Sequence, residues 1–98
     1  MASYEYEVDD ELELKEPSKY KVLLLNDDFS TMDFVIEILT TVFRKSLQES
    51  QEIMLAVHNN GKAVCGVYTK EIAFTKVAQV KSRARKASFP LKAIAEEE

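Results

Sequence analysis

The residues best equipped for chemistry are Asn26, Asp27 and Asp28, which follow the apolar run Val22-Leu23-Leu24-Leu25, and His58, the only histidine. An amide and two carboxylates between that run and an amphipathic run beginning at Met32 make a candidate cation or amine site. Acidic side chains at a helix start also suit its positive dipole end and its unpaired N–H groups, so part of the cluster is open to a capping role. Taken alone, His58 reads as a satisfied, partly buried residue, because its neighbours at helical spacing are apolar. Beside Asn26 and Asp27 it acquires another meaning. A neutral imidazole nitrogen, an amide oxygen and a carboxylate are three acceptors, which is what the three N–H donors of a primary ammonium require. Met32, Val35, Met54 and Val57 could then wall an apolar cavity below them, methionine being suited to adaptable pockets, with ordinary core packing as the competing reading.

Other chemistries fit less well. An acidic doublet after an apolar strand resembles the Mg²⁺-binding start of a phosphoacceptor receiver domain, but that fold needs repeated βα units and a further aspartate ending a middle strand. The run Ala63 to Tyr68 ends instead in Thr69-Lys70. One cysteine and one histidine give no zinc framework, so no metal or other cofactor is expected. Cys65 lies in an apolar run and reads as a small buried hydrophobe. A small hydrolase using Asp27 and His58 would also need a nucleophile and an oxyanion device, and no glycine-rich turn offers paired N–H donors. Lys81, Arg83, Arg85 and Lys86 suit the negative end of a helix. A basic-faced nucleic-acid binder is the third reading, weakened by the acidic balance and the lack of interleaved aromatic residues.

The elements that must hold these residues follow from periodicity. Tyr20 to Leu25 is a strand buried on both faces or in mid-sheet. Ser30 with Asp33 resembles a capping box and should start the first helix, whose stripe is Met32, Val35, Ile36, Leu39 and Phe43, widened by Phe34 and Ile38. Ser46 with Glu49 starts the second helix, Leu47 to about Asn59, and Gly61 stops it; Leu47, Met54, Val57 and His58 share its face. Lys62 to Tyr68 is a strand in which Gly66 allows a close approach of neighbouring backbone. Thr69 caps a third helix running to about Lys86 and burying Ala73, Val77, Val80 and Ala84. Phe89 to Ile94, interrupted by Pro90, is a short edge strand. The order β-α-α-β-α-β, with short connections, predicts an α+β sandwich of three helices on a three-stranded antiparallel or mixed sheet.

Length and charge complete the picture. A chain of 98 residues holds one small core. Residues 1–18 carry seven acids against one lysine, and the chain closes Glu96-Glu97-Glu98. A flexible acidic extension over 1–18, a core domain over 19–95 and an acidic tail over 96–98 are therefore expected. Neither a membrane span nor a secretory leader is evident, which makes a cytoplasmic protein the expectation.

Several of these segments together resemble the ClpS adaptor family. They are Tyr20 to Asp28, Met32-Asp33-Phe34-Val35, Met54-Leu55-Ala56-Val57-His58, Cys65-Gly66-Val67 and Phe89-Pro90-Leu91, in family order and spanning Tyr20 to Leu91. The resemblance implies a non-enzymatic adaptor that delivers N-end-rule substrates to a Clp AAA+ protease. Its substrates would begin with Leu, Phe, Tyr or Trp, and it would need neither nucleic acid nor membrane. By position, Asn26, Asp27 and His58 would hold the substrate's α-amino group. Ser30, Met32, Val35, Met54, Val57 and Leu91 would belong to the side-chain pocket, with Met32 excluding β-branched residues. Glu71 and Lys76 would contact the N-terminal domain of the Clp ATPase. Three positions depart from the family pattern: Ser30 replaces a commoner threonine, Thr31 stands where proline is frequent, expected as the N1 position, and Phe74 stands where a polar residue is usual. Asp28 receives no role.

Overall fold

Strand β1 (Lys19–Leu25) carries Val22, Leu23 and Leu24 at 5% exposure or less. Because strand side chains alternate between faces, such a run requires an inner position. In the computed structural model, which describes residues 17–98, β1 is indeed the middle strand. It pairs antiparallel with β2 (Lys62–Thr69) on one side and with β3 (Lys92–Glu97) on the other. Helices α1 (Met32–Thr41), α2 (Leu47–Asn60) and α3 (Lys70–Ala87) complete the expected β-α-α-β-α-β order.

The helices bury one face of this sheet. Val22 and Leu24 join Ile38 and Leu39 of α1, Met54 and Val57 of α2, and Ala73, Val80 and Ala84 of α3 in a single core cluster. Each large aliphatic side chain removed from water there contributes about 1.5–3 kcal/mol. Cys65 is an extra residue in β2, inserted between the pairs Val22–Gly66 and Leu23–Val64. The close approach at Gly66 is made by a side chain rather than by backbone, since an added Cβ would strike the Tyr68 ring and hydroxyl.

Local chemistry shifts several expected boundaries. Thr31, not Ser30, is the N-cap of α1, and its hydroxyl accepts from Phe34 N at 3.1 Å. Thr31 therefore stands one place before the N1 position expected for it. Ser46 and Glu49 form the expected capping box, whereas Thr69 occupies the cap of α3 without a side-chain hydrogen bond. Leu47 is 61% exposed, and Ser50, one turn later, is the buried residue at that end of α2. Phe43 is buried but lies beyond the last residue of α1. The final strand begins at Lys92 rather than Phe89, because Ser88 closes α3 in a left-handed conformation and the Phe89 ring packs 4.9 Å from Phe34. Glu96 and Glu97, expected as part of a tail, pair with Lys21 and Tyr20. The extension expected over 1–18 lies, apart from Pro17 and Ser18, outside the described residues.

Candidate functional site

One short hydrogen-bond chain brings the acidic corner to the end of α2. Gly61 ends that helix with φ +88°, a left-handed conformation that glycine adopts without a Cβ penalty, and its N–H donates to Val57 O at 2.9 Å. Its carbonyl in turn accepts from Asn26 N at 2.8 Å. The first residue after β1 is thereby fastened to the turn of α2 that carries His58.

A cavity of about 170 Å³ lies at this junction. Its polar lining is Asn26, Asp27, Asp28, Ser30 and His58, and its apolar lining is Met32, Val35, Met54 and Val57. Val35, Met54 and Val57 are buried, while Met32 is 51% exposed and stands at the rim. The volume is below the roughly 300–1,000 Å³ of pockets for drug-sized ligands and suits a single residue head. A cleft of about 480 Å³ exists elsewhere, but Asp33, Glu37, Arg83 and Lys86 give it opposed charges and no convergent chemistry.

The loop after β1 is organised by Asp27. Its Oδ1 accepts from Phe29 N at 2.8 Å and from Ser30 N at 2.6 Å, which spends one carboxylate oxygen on the turn. Burial pushes the Asp27 carboxyl up, but the hydrogen bonds from Ser30 and Phe29, with the Ser30 side chain nearby, outweigh it and hold the group below its ordinary value of 3.8. Asp27 Oδ2 and Ser30 Oγ are buried and have no hydrogen-bond partner among the described residues. Buried polar atoms without partners cost free energy that a donor entering the cavity would recover. The C-terminal end of α2 adds negative potential on the His58 side.

Asp28 is the lining residue for which sequence reasoning found no use; its place beside Asp27 in an acidic doublet was the available signal. Leu91 is not part of this lining. It is buried in the core cluster and borders a different cavity, with Val77 and Ala93. On α3, Glu71 is exposed. Lys76 is partly buried, with Nζ donating to Val42 O at 2.7 Å at the end of α1 and lying 5.7 Å from the Tyr68 ring centroid. Phe74 is 48% exposed and its ring centroid lies 5.9 Å from that of Tyr20.

Acceptors around an apolar floor suit an ammonium group attached to an apolar side chain. Hydrolysis has no matching constellation: among the described residues no hydroxyl or thiol hydrogen-bonds to His58, and burial pushes the Cys65 thiol up to about 12. Among the same residues, no group of three or more His, Cys, Asp or Glu is placed to hold a metal ion. No helix among them is long and apolar enough to cross a membrane.

Fold and cavity together define a small α+β protein with an apolar cavity rimmed by acceptors. The chain belongs to the ClpS family, whose description, ATP-dependent Clp protease adaptor protein ClpS, is matched by residues 15–94. The ATP-dependent Clp protease adapter protein ClpS of Wolinella succinogenes is 50% identical over 96 residues, covering 98% of this chain and 94% of its own. Its counterpart from Oleidesulfovibrio alaskensis is 55% identical over 87 residues, covering 89% and 84%. Among solved structures, Agrobacterium tumefaciens ClpS2 bound to L-phenylalaninamide superposes with a TM-score of 0.82 at 38% identity, over 85% of this chain and all of that one. The protein is thus an adaptor of the Clp protease and not an enzyme, and its partner is a Clp ATPase.

Proposed function

We propose that the cavity captures substrate proteins by their first residue, holding a free α-amino group and a Leu, Phe, Tyr or Trp side chain, for delivery to the Clp AAA+ protease in the cytoplasm. The observation that carries this reading is the pair of buried, unpartnered atoms, Asp27 Oδ2 and Ser30 Oγ, beside an apolar floor of Val35, Met54 and Val57. Asn26, Asp27, Asp28 and His58 supply the acceptors, and Met32 screens side-chain shape from the rim. Leu91 enters only through the core packing it shares with Val35 and Met54. The relative seen with L-phenylalaninamide lends support, because that ligand joins a free amine to an aromatic side chain. Glu71, Lys76 and the neighbouring surface of α3 meet the ATPase N-terminal domain, with Lys76 acting partly through the end of α1 that it holds.

A charge-assisted hydrogen bond contributes about 1.5–3 kcal/mol net and a buried apolar side chain a similar amount, which after association costs gives roughly micromolar binding. Fluorescence anisotropy with peptides beginning Leu and acetyl-Leu tests the amine requirement. Acetylation should abolish measurable binding; equal affinity for the two peptides would overturn the proposal. Met32→Ala should admit peptides beginning Ile or Val by widening the rim, read as a gain of at least several-fold in their affinity.

A further inference from the structure

The sheet has a second face, and it is not covered by the helices. Register places Lys21, Leu23 and Leu25 of β1 there, with Lys62, Val64 and Val67 of β2 and Lys92, Ile94 and Glu96 of β3 beside them. Lys19, opposite Thr69, falls on the same side. Leu23 stands outside the core cluster of the helical face and is buried beneath its neighbours at 5% exposure, whereas Val64 and Val67 are 43% and 42% exposed. The face is therefore an apolar strip bordered by four lysines and two acids, Glu96 and Glu98, the latter beside Lys19, whose carbonyl accepts from Glu98 N at 2.8 Å.

The N-terminal segment has the complementary composition. Residues 1–16 hold Glu5, Glu7, Asp9, Asp10, Glu11, Glu13 and Glu16 against Lys15 alone. Tyr4, Tyr6 and Val8 alternate with the first of these acids, and Leu12 and Leu14 with the later ones. Alternation of period two gives an extended segment one apolar side and one acidic side. Such a segment extends by about 3.3–3.6 Å per residue, so residues 4–14 reach along the full length of a strand. It joins the sheet at Lys19, the end of β1 where this face begins.

We infer that residues 4–14 dock on the open face of the sheet, laying their tyrosines and leucines over Val64, Val67 and Ile94, with their carboxylates on the outer side, where the long side chains of Lys19, Lys21, Lys62 and Lys92 reach them around the margins of the strip. The segment covers apolar surface that the helices leave bare, and it must leave that face before it can engage any other partner. Exposed ion pairs are weak singly and screened by salt, so the docked state is shallow and salt-sensitive. The inference is independent of the proposed role of the cavity.

Paramagnetic relaxation enhancement on the full ¹⁵N-labelled chain tests it. A nitroxide at Ser3→Cys labels selectively, because Cys65 is buried. Amide signals of Val64, Val67 and Ile94 should broaden several-fold more than those of Ala73 and Val80 on the helical side. The effect should vanish when Glu5, Glu7, Asp9 and Asp10 are changed to Ser, and in about 0.5 M salt. Absence of broadening would overturn the inference, as would broadening centred on Met32 and His58. Broadening that survives neutralisation and salt would remove the charge pairing on which the inference rests. Transfer of the effect from a nitroxide-labelled chain to a separate ¹⁵N-labelled chain would assign the face to a second copy instead.

Discussion

Asp27 divides its two oxygens between fold and cavity. Oδ1 is spent on the N–H groups of Phe29 and Ser30, and Oδ2 remains buried without a partner. Because the folded-state carboxyl is held below its ordinary value of 3.8, its contribution to stability is present above that value and is lost as pH falls through the lowered one. Asp27→Asn keeps an oxygen for the turn and removes the charge. It should weaken peptide binding at least tenfold with little change in melting temperature, whereas Asp27→Ala should also lower stability by about 1–2 kcal/mol. Calorimetric melts beside anisotropy titrations separate the two effects. The acidic corner was legible because two acids and an amide exceed what a helix start requires. Which oxygen serves the turn, and that Asp28 lines the same cavity, was not legible, because residue type and spacing leave side-chain direction open.

Cap chemistry sets the positions of the elements around the cavity. Ser30 and Thr31 are adjacent hydroxyls, and the sequence favours Ser30 as the cap through its spacing to Asp33. Once the Ser30 N–H is committed to Asp27, the cap falls to Thr31. The second helix was easier to read, since Ser46 with Glu49 and the later Gly61 are strong start and stop signals that agree with each other. Gly61 also fastens Asn26, so its effect extends beyond the helix. Gly61→Ala forces a left-handed alanine and should cost about 1–2 kcal/mol in denaturant melts. Its loss of peptide affinity should exceed that of Ala56→Gly, a substitution in the same helix away from the cavity lining. The last strand was misplaced because Phe89 and Leu91 look like strand residues, yet their apolar side chains are drawn into packing before regular pairing begins.

At the scale of the molecule, the helical face of the sheet was legible because long apolar stripes outweigh errors at individual positions. The edges were not, since Glu96 and Glu97 pair their backbones while their side chains remain exposed, which leaves no hydrophobic pattern to read. Cys65 reports on the integrity of the whole. With its thiol buried and pushed up to about 12, it should react with a disulfide reagent only on global opening, at a rate that follows unfolding. Fast labelling of the native protein would show that the β2 bulge opens locally. The central place of β1 has a further consequence when the chain is made. Its apolar run is synthesised before either strand that flanks it, since β2 starts only at Lys62 and β3 only at Lys92. At about 5–20 residues per second, both edges of β1 stay open for seconds on the ribosome, so the strand made first is the last to be enclosed.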